Sequence, residues 1–353
     1  MDYKKELDDL IKTLITQGGS DLHLSEGRHP TIRVARELIP LVKKNALTEK
    51  DTSAFLDILL SPGNKAHFQL NKEIDFSYNF NDQARFRGNG FYQQGKVSIA
   101  LRLIPKSIAS VKDLHLPEVL ETFARKQQGF FLVVGPVGQG KTTTLAALIE
   151  LINQERAEHI ITIEDPIEYI YEQKKAIIDQ REVRVDTADF KTALVSVLRE
   201  DVNVILLGEM RDPETMAAAV TAAETGHLVF STLHTNNASQ TIDRIIDSFP
   251  AEQQNQIRVQ LAGALTGVFS QRLVPRISGG LIPIYELLIA NNAVANLIRE
   301  KRTHEINTVI ETSSDEGMID MNRSIVELIR AGEITIENGY KHSFDPKVLE
   351  KML

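Results

Sequence analysis

Apolar residues recur at helical spacing near the start of the chain, at Leu7, Leu10, Ile11, Leu14 and Ile15, and Gly18-Gly19 then stops the pattern. The period next shortens to two. Asp21-Leu22-His23-Leu24 and Thr31-Ile32-Arg33-Val34 alternate polar with apolar, which predicts two short strands. Residues 55–60 predict part of a second helix, ended near Pro62-Gly63. Residues 75–80 and 85–92 predict a hairpin with Asn81-Asp82 as its turn, and 97–103 predict another strand. Residues 1–104 are therefore expected to form a mixed α+β domain. The segment 105–117, from Pro105-Lys106-Ser107 to Pro117, is expected to be a linker.

After it the pattern changes. Residues 130–134, 160–163, 204–207 and 228–230 are nearly continuous apolar runs, as in strands buried on both faces of a parallel sheet between helices. Helical stretches are expected between them, for example over 215–223 and 253–271. Residues 118–353 thus predict an α/β domain, whose ligands bind at the carboxyl ends of its strands. No internal repeat or low-complexity tract interrupts the chain.

Composition narrows the function classes. With 353 residues, two or three domains are expected, and 42% hydrophobic with 25% charged residues is ordinary for a soluble globular protein. The formal net charge of −8 argues against nonspecific nucleic-acid binding over the whole surface, though not against a local basic patch. There is no cysteine, so disulfides and thiolate metal sites are excluded. No stretch approaches a membrane span, and the residues from Met1 to Glu6 lack the apolar core of a secretory signal, so a cytosolic location is expected.

The sharpest chemistry is Gly135-Pro136-Val137-Gly138-Gln139-Gly140-Lys141-Thr142, a complete G-x-x-x-x-G-K-[ST] phosphate loop between an apolar run and a helical stretch that begins at Thr143. Its glycines let backbone N–H groups close around phosphate oxygens, and the new helix points its positive end at the same anion. Lys141 suits the β- and γ-phosphates of a nucleoside triphosphate, and Thr142 offers a hydroxyl to Mg²⁺. The expected phosphate-binding set is Gly135 through Thr142 together with Thr143.

Three further segments fall at apolar strand ends. Glu164-Asp165-Pro166-Ile167-Glu168 follows the second run. A carboxylate there can orient or deprotonate the attacking water, or hold Mg²⁺ through water, whereas the segment standing alone reads as a solvated acidic loop. Gly208-Glu209-Met210-Arg211-Asp212 follows the third run. Glu209 suits metal assistance through water, with capping of the next helix as the alternative. The fourth run carries His227 and His234, seven residues apart. On a straight strand they lie on opposite faces, roughly 23 Å apart, and cannot share one ion. They suit hydrogen bonding near the γ-phosphate, at a strand tip or subunit edge, or are ordinary loop histidines. Phosphoryl transfer gains from an arginine, and Arg85, Arg87, Arg102, Arg199, Arg211 and Arg272 are candidates, each by default solvated or salt-bridged.

Together these segments resemble the secretion/type IV pilus ATPase superfamily over nearly the whole chain. Residues 161–169 resemble its Asp box, 208–212 its Walker B, and 223–236 its His box, while Asp21-Leu22-His23-Leu24 and Arg85-Phe86-Arg87 resemble its amino-terminal signatures. Ala293-Val294-Ala295-Asn296-Leu297-Ile298-Arg299-Glu300 is similar to the A-x-x-N-L-I-R-E motif of the PilT-like twitching-motility, or pilus-retraction, ATPases. Val294, Leu297 and Ile298 predict a helix with one buried face, whose bland reading is ordinary core packing with Arg299 and Glu300 solvated. Assembly and type II secretion relatives commonly carry a tetracysteine metal element and longer amino-terminal regions, so a sequence without cysteine that starts directly with the PAS-like domain is expected to lie outside those branches.

The resemblance implies an amino-terminal PAS-like domain and a RecA-like P-loop ATPase domain with a carboxy-terminal helical part. It implies a homohexamer that hydrolyses ATP with Mg²⁺ to drive pilus retraction from the inner face of the cytoplasmic membrane. Its partners would be an inner-membrane platform protein and a paralogous retraction ATPase, with no direct nucleic acid. Accessory retraction, DNA uptake, type II secretion and a weakly hydrolysing nucleotide-gated ring are the alternatives. It assigns Glu168 to water activation, Glu209 to the Walker-B role, His227 and His234 to the His box, and Glu164 and Asp165 to the acidic tip. ATP would sit between the two domains, with Arg85, Arg87 and Arg102 as candidates for completing the site. Two departures stand out. Gly88 occupies a usual valine position, and Arg33-Val34-Ala35-Arg36-Glu37-Leu38 lacks the usual Asp-Gly turn.

Overall fold

The computed structural model describes residues 2–35, 37–81, 83–104 and 107–353. Arg36 of the irregular loop, Asp82 of the expected turn, and Pro105 and Lys106 of the expected linker lie outside the described residues, as does Met1.

The chain divides into two compact units. One comprises Met1–Ser107 with Glu164–Ile170 and Arg181–Asp189, and the other comprises Ile108–Ile163, Tyr171–Gln180 and Phe190–Leu353. The sequence-based boundaries differ in two respects. The segments 164–170 and 181–189 group with the amino-terminal unit, because their polar groups bond to its sheet. Much of the expected linker lies in the second unit, where Val111 and Leu116 are buried.

The first unit opens with α1 (Tyr3–Thr16), which buries Leu7, Leu10, Ile11 and Leu14, the four positions its spacing puts on one face. The Asp2 side chain caps it by accepting from the Lys5 N–H, and Gly18 leaves it at φ 62°. There follow β1 (Asp21–Ser25), β2 (Thr31–Val34), β3 (Glu37–Pro40), α2 (Glu49–Leu59), α3 (Pro62–Asn71), β4 (Glu73–Phe80), β5 (Ala84–Gln93) and β6 (Lys96–Ile104). The antiparallel sheet runs β3-β2-β1-β6-β5-β4. Phe55, Phe76, Phe80 and Phe86 are fully buried in its core with the apolar face of α1.

Two elements here escape the sequence pattern. Pro62 opens α3 at its first turn, with the Ser61 side chain accepting from Asn64, rather than merely ending α2. The exposed edge strand β3 carries no buried alternation to betray it. The glycine at position 88 has a packing cause. It pairs with Phe76 across β4 and β5, and a Cβ there would collide with the Phe76 ring. In the loop that lacks an Asp-Gly turn, Ala35 takes φ 47° itself.

The second unit begins with α4 (Leu120–Ala124), β7 (Gly129–Val134), α5 (Lys141–Glu155), β8 (His159–Glu164), β9 (Ile177–Glu182), α6 (Phe190–Val197), β10 (Val204–Leu207) and α7 (Pro213–Glu224). It continues with β11 (Leu228–Leu233), α8 (Ala238–Asp247), α9 (Ala251–Ala264), β12 (Leu265–Pro275) and β13 (Leu281–Ile289). Its sheet runs β13-β12-β7-β11-β10-β8-β9. The five central strands from β12 to β8 are parallel and β13 is antiparallel.

The helix expected over 253–271 stops at Ala264, and residues 265–275 form β12 instead. Apolar spacing continues smoothly from Leu261 through Leu265 to Val268 and Phe269, so periodicity cannot mark the change. Packing decides it: a Cβ on Gly267 would lie 2.8 Å from the Leu288 carbonyl, a fit between closely paired strands.

The chain ends with α10 (Asn292–Arg299), α11 (Ile306–Thr312), α12 (Met321–Arg330), α13 (Ile336–His342) and α14 (Pro346–Met352). α10 buries Val294, Leu297 and Ile298 as its spacing predicts, and Arg299 and Glu300 are exposed. Met321, Ile325, Val326 and Leu349 join Val274, Ile282 and Ile284 of the β12–β13 pair in a separate core. Among the described residues, no helix is long and apolar enough to cross a membrane.

Candidate nucleotide-phosphate site

β7 is buried along its whole length and delivers the phosphate loop at its carboxyl end. Gly135, Gly138 and Gly140 take φ of 144°, 76° and 80°, conformations that a Cβ would strain. Gly135 also needs its lack of a side chain because the Gln271 carbonyl oxygen of β12 occupies the place of a Cβ. Gly140 caps α5 with the first helical amides facing the loop. Lys141, only 7% exposed, donates from Nζ to the Gly135 carbonyl at 2.8 Å and the Pro136 carbonyl at 2.9 Å. Burial pushes its ammonium down to about 8, against the opposing pull of Glu209.

The neighbouring strand tips carry the acid and the imidazole. The Gly208 N–H donates to the Ile163 carbonyl, Thr232 Oγ1 donates to the Gly208 carbonyl at 2.7 Å, and the Met210 N–H donates to the Thr232 carbonyl. Glu209 is thereby pinned between two strand tips. It pairs with Arg211 and lies 3.6 Å from His234 Nε2. Helix capping falls to Asp212 instead, which accepts from the Thr215 N–H at 2.8 Å at the start of α7.

β11 separates the two histidines as expected. His234, past its carboxyl end, accepts at Nδ1 from Lys141 Nζ at 3.3 Å, which leaves Nε2 to carry the proton facing Glu209. Burial and the Lys141 charge hold its pKa below the usual histidine value, against Glu209. His227, at the other end of β11, bonds the Ala222 carbonyl at 3.0 Å and does not join this cluster.

Behind the His box lies a buried acid. Glu286 of β13 accepts from the Ala238 N–H at 2.8 Å, where α8 begins. Burial pushes its carboxyl up to about 7, aided by Asp320 and Glu311 and opposed by the Ala238 hydrogen bond. The unfolded carboxyl ionises near 4.5, whereas the folded one keeps its proton to about 7. Stability therefore falls as pH rises from about 4.5 to 7 and is level outside that window. Glu286→Gln keeps the acceptor and removes the slope. It is expected to stabilise the protein by at most about 3 kcal/mol at pH 8 and not at all at pH 4. Urea unfolding at both pH values checks this, and an equal effect at the two would refute it.

The acidic segment after β8 belongs to the amino-terminal unit, together with the arginines proposed beside it. Arg85, whose side chain is 17% exposed, donates from Nε to the Ile167 carbonyl at 3.2 Å and pairs with Glu182 at 3.4 Å. Glu182 in turn accepts from the Ile167 N–H and from Ser77 Oγ. Arg184 pairs with Asp165, and buried Glu164 accepts from the Glu168 N–H at 3.4 Å. Arg87 Nη1 lies 2.6 Å from Glu168 Oε1. Arg102 pairs with Asp21 at 2.9 Å, yet its side chain remains 70% exposed. Arg85 is thus committed to holding the acidic loop, and Arg87 to Glu168.

Several working residues escape sequence reading. Gln271 touches the phosphate loop from β12, inside the stretch expected to be helical. Glu182 and Arg184 hold the acidic loop from β9 and just beyond it. For Gln271 the sequence signal is the glycine at 135, which announces that something must approach closely there; Glu182 and Arg184 carry none.

Mg²⁺ fits as a guest of the triphosphate. Thr142 and Glu209 would supply one hydroxyl and one carboxylate, and no cluster of three or more histidine or acidic side chains among the described residues could cage an ion by itself. Mg²⁺ is held in this way at phosphate sites, by one or two protein ligands with substrate oxygens and water.

Comparison with known proteins bears on this arrangement. The model of the type II/IV secretion system protein family matches residues 4–280. The chain belongs to this family. Over 342 residues, 97% of this chain and 99% of the relative, it is 40% identical to the type IV pilus retraction ATPase PilT of Pseudomonas aeruginosa. Over 271 residues, 76% of this chain and 72% of the relative, it is 48% identical to a twitching motility protein of Neisseria gonorrhoeae. A crystal structure of the pilus retraction motor PilT with bound ADP superposes with a TM-score of 0.89 at 43% identity, covering 98% of each chain. Within the secretion ATPase family, the chain lies in the PilT-like retraction branch and is an ATPase.

Proposed function

We propose that the chain is the ATP-hydrolysing motor of type IV pilus retraction, and that it works as a homohexameric ring with Mg²⁺. The observation that carries the reading is the convergence of Lys141, at the start of α5, with Glu209 and His234, past the tips of β10 and β11, beside a glycine-shaped phosphate loop. The cluster combines a cation for the phosphates, a carboxylate for the metal and a neutral imidazole that reports on both. Likeness to the PilT proteins supports the same reading.

Roles follow from the chemistry of each side chain. Backbone amides of the loop between Gly135 and Thr143 cradle the β- and γ-phosphates, with Lys141 as the charge beside them. The Thr142 hydroxyl and Glu209 hold Mg²⁺, which would neutralise developing charge on the phosphates. Glu168 takes the proton of the attacking water, and Glu164 and Asp165 hold its loop. Arg102 is the most exposed of the three amino-terminal arginines and is assigned to the nucleotide of the adjacent subunit. His227, at the far end of β11, is assigned to a subunit edge. The ring works at the inner face of the cytoplasmic membrane against a platform protein, alone or beside a paralogous ATPase.

Counting surface pili in a strain lacking the gene tests this reading. Cells should be over-piliated and non-motile, and complementation should succeed with the wild-type gene but not with Arg102→Ala. Bald cells would make the chain an assembly motor instead.

A further inference from the structure

We propose that Gln271 is a positioning residue for nucleotide binding, through which β12 holds the phosphate loop in its phosphate-accepting shape. The inference rests on the ATP-site reading alone and not on the pilus assignment.

Four contacts converge on this position. The Gln271 side chain is 3% exposed, and both of its polar atoms are used. Oε1 accepts from Thr144 Oγ1 of α5 at 2.6 Å, and Nε2 donates to the Gln139 carbonyl of the loop at 2.8 Å. The adjacent Leu273 N–H donates to Gln139 Oε1 at 2.7 Å, so Gln139 is held at both its main chain and its side chain. The Gln271 carbonyl fills the space where Gly135 lacks a side chain, and Nε2 lies 2.9 Å from the place a Cβ on Gly140 would take. The first, fifth and sixth loop residues are thus all shaped against one residue of another strand. With the Gln139 carbonyl turned towards Gln271, the loop carbonyl there points away from the anion, leaving N–H groups to face it.

The same strand also grips the His box. Ser270 Oγ donates to the Asn236 carbonyl at 2.6 Å, and Arg272 Nη2 donates to Asn236 Oδ1 at 3.1 Å. Side chains alternate along a strand, so Gln271 faces the loop while Ser270 and Arg272 face residues 234–237. Loop and imidazole are therefore aligned by three consecutive residues of β12. Gln271 need not touch the nucleotide, since it acts through Gln139 and Thr144.

The test measures binding of a fluorescent ADP analogue, steady-state ATP hydrolysis and thermal unfolding for Gln271→Leu, Thr144→Val, Thr144→Ser and the double variant Gln271→Leu/Thr144→Val. Gln271→Leu and Thr144→Val are each expected to raise nucleotide Kd and ATP KM about tenfold, leaving kcat within about twofold. Thr144→Ser keeps the hydroxyl and should bind as wild type does. The double variant should be no weaker than Gln271→Leu alone, because both act through one contact. Unchanged Kd in Gln271→Leu, a loss confined to kcat, or additive effects in the double variant would each overturn the proposal. Should Gln271→Leu not fold, the Thr144→Val and Thr144→Ser pair decides by the same Kd criterion. A wild-type protein that fails to bind the analogue would instead remove the ATP-site reading, so the two failures are distinguishable.

Discussion

Replacing Lys141 with alanine is expected to reduce ATP turnover by at least about 10³-fold. The ammonium is buried in the loop, within reach of two loop carbonyls and His234, so no solvent cation can take its place. Loss of one donor aimed at developing phosphate charge costs about 10² to 10³ in rate, and this donor also serves the ground state. The stability of the protein should respond in the opposite sense. Burial lowers the folded pKa from 10.5 to about 8, so the charged form is disfavoured by folding at neutral pH, and that penalty fades as pH rises through 8 towards 10.5. Lys141→Met, which keeps the stem and removes the charge, should therefore lose turnover while its unfolding temperature at pH 7 rises. Phosphate-release assays and thermal melts read the two effects separately. Near-normal hydrolysis in either variant would remove the phosphate-site assignment.

Glu168→Gln is expected to bind ATP as wild type does and to lose turnover by about 10² to 10⁴, the contribution typical of a positioned general base. The amide keeps the size and an oxygen for Arg87 but cannot take a proton from water. The present pairing with Arg87 at 2.6 Å is part of the argument. The guanidinium occupies a carboxylate oxygen that the water would need, so catalysis requires Arg87 to give up this contact when water attacks the phosphate. Single-turnover hydrolysis with tight ATP binding retained would identify the step affected. An unchanged turnover number would exclude Glu168 as the base.

The phosphate loop was fully legible because its demands are local: each glycine answers a backbone torsion, and strand, loop and helix are contiguous. The parallel sheet was legible from apolar runs in β7, β8, β10 and β11, and the buried face of α10 from Val294, Leu297 and Ile298. What could not be read depends on distant partners. Gln271 meets Thr144 from 127 residues away, and no periodicity encodes that meeting. β12 hid behind the spacing of α9, because a helix face and a doubly buried strand both look apolar over six residues. Pro62 looked like a terminator, yet a proline serves equally at a helix start, and only Ser61 as cap distinguishes the two. Gly88 departed from the family pattern without a visible cause until Phe76 was found opposite it. The grouping of 164–170 and 181–189 with the amino-terminal unit was hidden for the same reason, since it rests on Arg85, Arg87 and Glu182 meeting across long separations.

The strand register carries a consequence for how such a chain can vary. Leu207 lies level with Ile163 on one side and Ser231 on the other, and Leu233 lies level with Val134. The phosphate loop and His234 therefore start from one line across the sheet, while β10 ends two residues short of it and Glu209 follows two residues later. One residue inserted within β10 or β11 would advance that tip by about 3.3 Å and turn each later side chain to the opposite face. An insertion or deletion is thus expected to be tolerated only outside these strands, and the number of residues in each strand is as much a part of the site as their identities.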